Sequence, residues 1–256
     1  MEGRGMIRLA KISKEYDLGG GKTFCAVRDV NITVREGEFL SILGPSGCGK
    51  TTILDMMGGI SRATSGSVIK QSSADSGKAF TAMVFQSYAL FPWLNVHDNI
   101  EFGLKIRGFD KRVAERRISK YLRIVGLERF KERYPSQLSG GMKQRVGIAR
   151  ALALEPSVLL MDEPFASVDA QTRTALQLEI LKIFSMEKIT IVFVTHSIEE
   201  ALLLSDRVVV MGGKPGRVIS THTIKMPKPR TAETFKTNEF MLLQKRIRKE
   251  IGAAQV

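Results

Sequence analysis

Between residues 7 and 38 apolar and polar positions alternate, most clearly through Ile32-Thr33-Val34, around a glycine run, Gly19-Gly20-Gly21. A period of two puts every second side chain on one face, so this stretch predicts an antiparallel sheet that turns at the glycines. The pattern then shifts. Glu38-Phe39-Leu40-Ser41-Ile42-Leu43 is an apolar run of strand length, and Thr51-Thr52-Ile53-Leu54-Asp55-Met56-Met57 opens a helix. Short strands are predicted over 65–69 and 79–85, the second ending at Gln86. From 98 to about 135 the period is helical, through Val113, Ile118, Leu122 and Val125, and charged residues dominate. That region contains no good strand and reads as a helical insertion spanning about 87–137.

After Ser139 a helix is predicted to about Leu154, followed by the apolar run Ser157-Val158-Leu159-Leu160-Met161, which stops at Asp162-Glu163. Such a run suits a central strand of a parallel sheet, with the acids projecting from its carboxyl end, where ligands bind. A helix near 170–185, a strand over 190–194, a helix from Ser197 and a strand over 207–211 continue the alternation. Strands alternating with helices predict an α/β core. The last residues differ: Pro227 and Pro229 precede Phe240, Leu243, Ile247 and Ile251 at helical spacing. The expected division is therefore one large domain over 1–223 and a helical tail over 224–256.

Composition narrows the class. A chain of 256 residues with 43% hydrophobic content can bury a full core. No apolar run approaches the roughly 18 residues of a membrane span. Residues 1–8 carry no apolar stretch of signal-peptide type, and Cys25 and Cys48 make no disulfide framework, so a soluble cytosolic protein is expected. The net charge of +13 is compatible with nucleic acid, an anionic membrane surface or an acidic partner. Much of the excess lies in 105–133 and 225–249, where aromatics are not interleaved as in a base-stacking platform. Solvated helical faces, and no nucleic-acid partner, are expected there.

The most specific chemistry lies at Gly44-Pro45-Ser46-Gly47-Cys48-Gly49-Lys50-Thr51, which fits G-x-x-x-x-G-K-[ST] between a predicted strand and a predicted helix. Glycines let backbone N–H groups curl around phosphates, and the helix N-terminus adds partial positive charge. Residues 44–51 and Thr52 are thus the candidate contacts to a nucleoside triphosphate. Lys50 is expected to reach the β- and γ-phosphates, and the Thr51 hydroxyl to sit on Mg²⁺. Cys48 reads as a small loop residue, since nothing nearby marks it as catalytic. The implied fold is a P-loop NTPase core of the RecA-like α/β type, with an antiparallel β subdomain and an inserted α-helical subdomain.

Five further segments follow in an order that resembles the nucleotide-binding subunits of ABC transporters, over residues 7 to about 220. Leu138-Ser139-Gly140-Gly141-Met142-Lys143-Gln144-Arg145 is similar to that family's signature sequence, with Met142 where the family often has Gln. The resemblance implies that Ser139, Gly140 and Gly141 offer hydroxyl and backbone donors, at a helix start, to the γ-phosphate held by the opposite subunit. Asp162 resembles the family's second metal-site carboxylate, and Glu163 its general base or water-orienting residue. Gln86 matches the Q-loop glutamine that senses Mg²⁺ or the lytic water, and His196 the switch histidine at the γ-phosphate. Asp169, in Ala166-Ser167-Val168-Asp169, resembles the loop that crosses the dimer interface, although the family more usually has Ala-Leu-Asp. Tyr16, in Lys14-Glu15-Tyr16, matches the aromatic that stacks on adenine.

By the same resemblance the nucleotide is ATP, the metal is Mg²⁺, and the assembly is a head-to-tail homodimer that closes on two ATP molecules and opens on hydrolysis. Integral-membrane permease subunits would receive that motion at the cytoplasmic face of the cell membrane. The aromatic stretch Gln86-Ser87-Tyr88-Ala89-Leu90-Phe91-Pro92-Trp93-Leu94 corresponds to the family's groove for a short cytoplasmic permease helix. Leu90-Phe91-Pro92-Trp93 and Pro215-Gly216-Arg217-Val218 resemble the importer branch for nitrate, sulfonates or taurine, which implies an extracytoplasmic solute-binding protein in the same system. The alternative is a soluble ABC ATPase acting on nucleic acid or ribosomes. The long coiled-coil insertion or second cassette usual in such proteins is not visible here. A non-catalytic nucleotide-regulated binding module is opposed by the intact Lys50, Asp162, Glu163 and His196.

Overall fold

In chain order the elements are β1 (Gly5–Asp17), β2 (Thr23–Arg35), β3 (Phe39–Leu43), α1 (Lys50–Gly58), β4 (Ser65–Lys70) and β5 (Thr81–Val84). Then come α2 (Val96–Ile106), α3 (Lys111–Ile124), α4 (Gly140–Ala153), β6 (Val158–Asp162) and α5 (Ala170–Glu187). The chain ends with β7 (Thr190–Thr195), α6 (Ile198–Leu204), β8 (Arg207–Gly212), β9 (Arg217–Thr223) and α7 (Asn238–Ala253). The computed structural model describes residues 5–71, 79–166, 168–187 and 189–254. Residues 1–4, part of the N-terminal stretch read for a leader, and Ser167 of the Asp169 segment lie outside them. Two units divide the chain, one of Met1–Ser73 with Ile189–Val256 and the other of Ala74–Lys188.

In the first unit β2, β1 and β4 form an antiparallel sheet in that order. Its inward face is the alternation read from sequence: Val30, Ile32 and Val34 are buried, while Asn31 and Arg35 are exposed. The turn from β1 to β2 carries Gly19, Gly20 and Gly21 at φ 79°, 61° and 74°, a run that side-chain-bearing residues would resist. The second sheet of this unit has β3 between β7 and β8, all parallel, with β9 antiparallel to β8. Every residue of β3 and of β7 is buried, as continuous apolar runs covered on both faces require. β9 was not legible as a strand, because its positions are mostly exposed or half-buried and the segment lacks a firm apolar alternation.

The tail packs back onto this unit. Phe240 and Ile247 of α7 join Leu43, Ala201, Leu202, Val208 and Val210 in one cluster, with Leu243 and Ile251 against it. Arg230 is 4% exposed and donates to the carbonyls of Leu202, Leu203 and Ser205, which closes the C-terminal end of α6.

In the second unit β5 and β6 are parallel, with Val84 opposite Met161. Helices α2 and α3 pack on α4, and Ile100, Leu104, Ile118 and Leu122 of the first two and Val146, Ile148 and Leu152 of α4 are buried. The starts of these three helices are capped by side chains: Asn95 accepts from Asp98 N, Asp110 from Arg112 N and Ser139 from Met142 N. On α3, Lys111, Arg112, Arg116, Lys120 and Arg123 are exposed, so the basic run there is a solvated face.

Candidate nucleotide-binding site

The first unit holds the phosphate loop between β3 and α1. Gly49 precedes α1 at φ 86°, and no side chain caps the helix; its first turn contains no acid. The N–H groups of that turn therefore face an end that is electropositive and lacks a carboxylate of its own. A Cβ on Gly44 would lie 2.4 Å from the Met211 carbonyl oxygen, and one on Gly49 2.3 Å from Val27, so glycine at both positions lets the loop lie flat on the protein. Gly47, at φ 79°, has open space on its outer side. Lys50 is 5% exposed, and its ammonium donates to the Gly44 and Pro45 carbonyls at 2.9 and 3.0 Å. The cation is thus folded over its own loop, above a cradle of backbone donors, which is the donor set a polyphosphate requires. Pro45 and Cys48 pack within the turn, where Cys48 N donates to Pro45 O, while Ser46, Thr51 and the half-buried Thr52 lie toward its solvent side.

The same unit carries His196 and Tyr16. Gly44 N donates to Thr195 O at 3.4 Å, so the loop begins beside the end of β7, one residue before His196. His196 is exposed, and the residues around it are tied down. Thr195 Oγ1 donates to Glu200 at 2.5 Å, Ser197 N donates to Thr195 Oγ1, and Glu200 N donates to Ser197 Oγ. Tyr16 stands on β1, opposite Phe24 and 38% exposed, with the Lys14 ammonium 4.9 Å from its ring centre.

The second unit carries Gln86, the signature segment, Asp162, Glu163 and Asp169. The parallel pairing of β5 and β6 brings the exposed Gln86 and the acids to the same end of the strand pair. Asp162 is 6% exposed at the end of β6, and Glu163 follows at φ 41°. A left-handed glutamate costs on the order of 1 kcal/mol, a strain met most often where a side chain must be aimed. Ser139 is exposed as the cap of α4, with Gly140 and Gly141 half-buried behind it and no acid in the first turn. Asp169 is exposed, immediately before α5.

Two residues that organise this unit were not found from sequence. Asn99 is fully buried; its amide accepts from Phe91 N and donates to the carbonyls of Phe91, Leu94 and Asn95. Arg150, in the last turn of α4, donates to the carbonyls of Tyr88 and Ala89. A signal existed for Arg150: it is a lone charge in an otherwise apolar stretch, Val146 to Ala153. Both residues fix the segment after Gln86, which rims an apolar groove of about 380 Å³ lined by Met83, Phe85, Ala89, Phe102, Arg150 and Leu154. Trp93, 70% exposed, stands on the same segment.

A glycine loop and buried lysine between a parallel-sheet strand and an uncapped helix define a P-loop nucleotide-binding protein of the α/β class. The family described as ABC transporter matches residues 27–166. An uncharacterized ABC transporter ATP-binding protein of Methanocaldococcus jannaschii is 44% identical, over 94% of this chain and 89% of its own. A taurine import ATP-binding protein of Pelagibacter ubique is 46% identical, over 77% of this chain and 75% of its own. Among solved structures, a dimeric ATP-binding cassette in a post-hydrolysis state with ADP and Pi superposes with a TM-score of 0.75 at 32% identity, covering 87% of this chain and all of that one. A cassette from Clostridium perfringens, part of an ABC transporter complex, gives a TM-score of 0.75 at 27% identity, covering 97% and 98%. The chain belongs to the ABC transporter ATP-binding family, and it is an ATPase.

Proposed function

We propose that this chain is the ATP-hydrolysing subunit of an importer for a small solute of the taurine, sulfonate or nitrate kind. The observation that carries the catalytic reading is the buried Lys50 folded over an uncapped helix start, together with Asp162 and the left-handed Glu163 at the carboxyl end of β6. In this reading Lys50 and the backbone of residues 44–51, with Thr52, hold the ATP phosphates, and Tyr16 stacks on adenine. Thr51, Gln86 and Asp162 offer hydroxyl, amide and carboxylate oxygens, the hard donors Mg²⁺ takes, and they would hold it. When bound, the metal neutralises charge on the phosphates. Glu163 accepts a proton from the attacking water, and His196 contacts the γ-phosphate and holds that water in line. Ser139, Gly140 and Gly141 serve the ATP held by a partner copy, with Asp169 at the dimer boundary.

Two features support coupling to a membrane partner. No helix among the described residues is long and apolar enough to cross a membrane, so transport would need other chains. The apolar groove with Trp93 on its neighbouring segment offers a docking surface for a permease helix at the cytoplasmic face of the membrane. The solute class rests on the taurine-importing relatives, and an extracytoplasmic binding protein would deliver the solute.

The test is the Glu163→Gln variant, followed by light scattering with and without Mg-ATP. Expected are a dimer only with Mg-ATP and hydrolysis lowered by about 10²–10⁴-fold. Wild-type hydrolysis in that variant would remove Glu163 from its role. For the solute, cells lacking the chain are expected to lose uptake of taurine, another sulfonate or nitrate; unchanged uptake of all three would overturn that assignment.

A further inference from the structure

Gln86 lies on an exposed connection held locally by two backbone bonds, Tyr88 N to Phe85 O at 3.3 Å and Ala89 N to Ser87 O at 2.7 Å. Two successive residues beyond it, Tyr88 and Ala89, have φ of 62° and 46°, a conformation that neither residue type favours. To these local bonds α4 adds a grip from outside the segment. Arg150 Nη1 donates to Ala89 O at 2.6 Å and Nη2 to Tyr88 O at 3.1 Å, so the planar guanidinium spans both strained residues. One turn earlier on α4, Gly147 faces the same loop: a Cβ there would sit in ordinary contact, 3.5 Å from Tyr88 O. The guanidinium also lies over the Phe91 ring, 5.9 Å from its centre. Burial pushes the Arg150 pKa down, the mark of a charge withdrawn from water.

The helix that ends in this grip begins at Ser139, about 16 Å away along its axis. Arg150 and Ala89 also line the apolar groove. One rigid element therefore bears the signature segment at its start and, at its other end, holds the chain between Gln86 and the groove. We infer that Arg150 is a positioning residue for Gln86: it fixes the strained Tyr88-Ala89 backbone to α4, so that whatever fills the groove is registered at Gln86 and at the signature segment together. This rests on the reading of Gln86 as the residue that senses the metal or the lytic water.

The chain carries its own reporter, because Trp93 is the single tryptophan and stands on the same segment, its ring 5.6 Å from that of Phe91. Arg150→Gln, Arg150→Lys and Gln86→Ala variants of the full chain are compared with wild type. The readouts are Trp93 emission during Mg-ATP titration, ATP affinity, kcat and the Mg²⁺ concentration for half-maximal hydrolysis. Arg150→Gln is expected to bind ATP within about twofold of wild type, to lose the Trp93 response and to lower kcat about tenfold with a raised Mg²⁺ requirement. Arg150→Lys, which keeps the charge but brings one nitrogen to two carbonyls, is expected to fall between.

A folded Arg150→Gln variant with wild-type kcat, Mg²⁺ requirement and Trp93 response overturns the proposal, as does a loss of ATP affinity that tracks a fall in Tm. Should Arg150→Gln fail to fold, Arg150→Lys decides: wild-type values overturn the inference, and a lowered kcat at unchanged ATP affinity supports it. Gln86→Ala separates the two levels. If it leaves kcat and the Mg²⁺ requirement unchanged, the reading of Gln86 fails; if it is defective while Arg150→Gln is not, the role of Arg150 alone fails.

Discussion

The phosphate loop and the segment after Gln86 are both short, irregular connections at the ends of parallel strands, yet they are held in opposite ways. Residues 44–51 stabilise themselves: Lys50 bonds the loop's own carbonyls, Cys48 N reaches Pro45 O, and Gly47 and Gly49 take the left-handed angles the turn demands. Residues 86–95 also make local turn bonds, Ala89 N to Ser87 O and Leu94 N to Phe91 O, but they contain no glycine and take their side-chain anchors from outside. Their positive-φ positions are Tyr88 and Ala89, and their fixed points are Arg150 and Asn99, on two different helices. The first loop is held largely by its own residues, with the Gly44 N bond to Thr195 O and the packing of Gly44 and Gly49 on Met211 and Val27 as its outside contacts. A loop held from outside can be moved by whatever moves its anchors, which suits the link proposed above between the groove and Gln86.

The contrast can be broken most strongly at Gly49. A Gly49→Val change places branched carbon where a Cβ would already sit 2.3 Å from Val27 and 3.0 Å from the Ala26 carbonyl, at φ 86°. ATP affinity, read by titration calorimetry, is expected to fall at least about 1,000-fold, roughly 4 kcal/mol. Retention of wild-type affinity would show that the loop does not depend on its own glycine geometry.

Asn99→Ala attacks the second loop from outside. Removing a buried amide that makes four hydrogen bonds to the 91–95 turn is expected to lower unfolding stability by about 2–3 kcal/mol in urea melts. ATP affinity at the phosphate loop should stay near wild type, and a matching loss of affinity would mean the two loops are not separately held.

His97, in the first turn of α2 after that loop, gives a smaller, pH-dependent effect. Burial disfavours its charge, but hydrogen bonds to Glu115 and Asp98 outweigh this and raise its pKa above the ordinary 6.5. A raised folded-state pKa contributes stability that is fully present below the unfolded value and is lost as pH rises through the folded one. The stability gap between wild type and His97→Gln should therefore be larger at pH 5.5 than at pH 9, by melts at both. An equal gap at the two pH values would remove the charged pairing from the account.

The smallest effect is expected at Trp93. Exposed on the outer side of the loop, it should tolerate Trp93→Ala with a stability change within about 0.5 kcal/mol and unchanged ATP affinity. A large destabilisation would make Trp93 part of the packing that holds the loop, and remove it as a docking residue.

These two loops also mark how much of the molecule could be read from its residues. Strand β3, the phosphate loop and α1 were legible because each depends on near neighbours: a continuous apolar run, glycines where φ is positive, and a lysine that folds over its own turn. The signature helix was legible at its start for the same reason, since Ser139 caps its own next residues. Arg150 and the C-terminal docking of Arg230 were not, because their partners lie 62 and 25 residues away along the chain; nor was β9, which lacks a firm apolar alternation, nor Asn99, whose partners four to eight residues back meet it only once the turn before α2 has formed. Sequence by itself thus determined most of the elements, the kind of core and the glycine loop between β3 and α1. The tertiary structure alone decided which helices grip the loop after Gln86, which residues carry that grip and how the tail closes on α6. The reason is physical: a backbone carbonyl accepts from any donor that reaches it, and only the packed fold selects which one does.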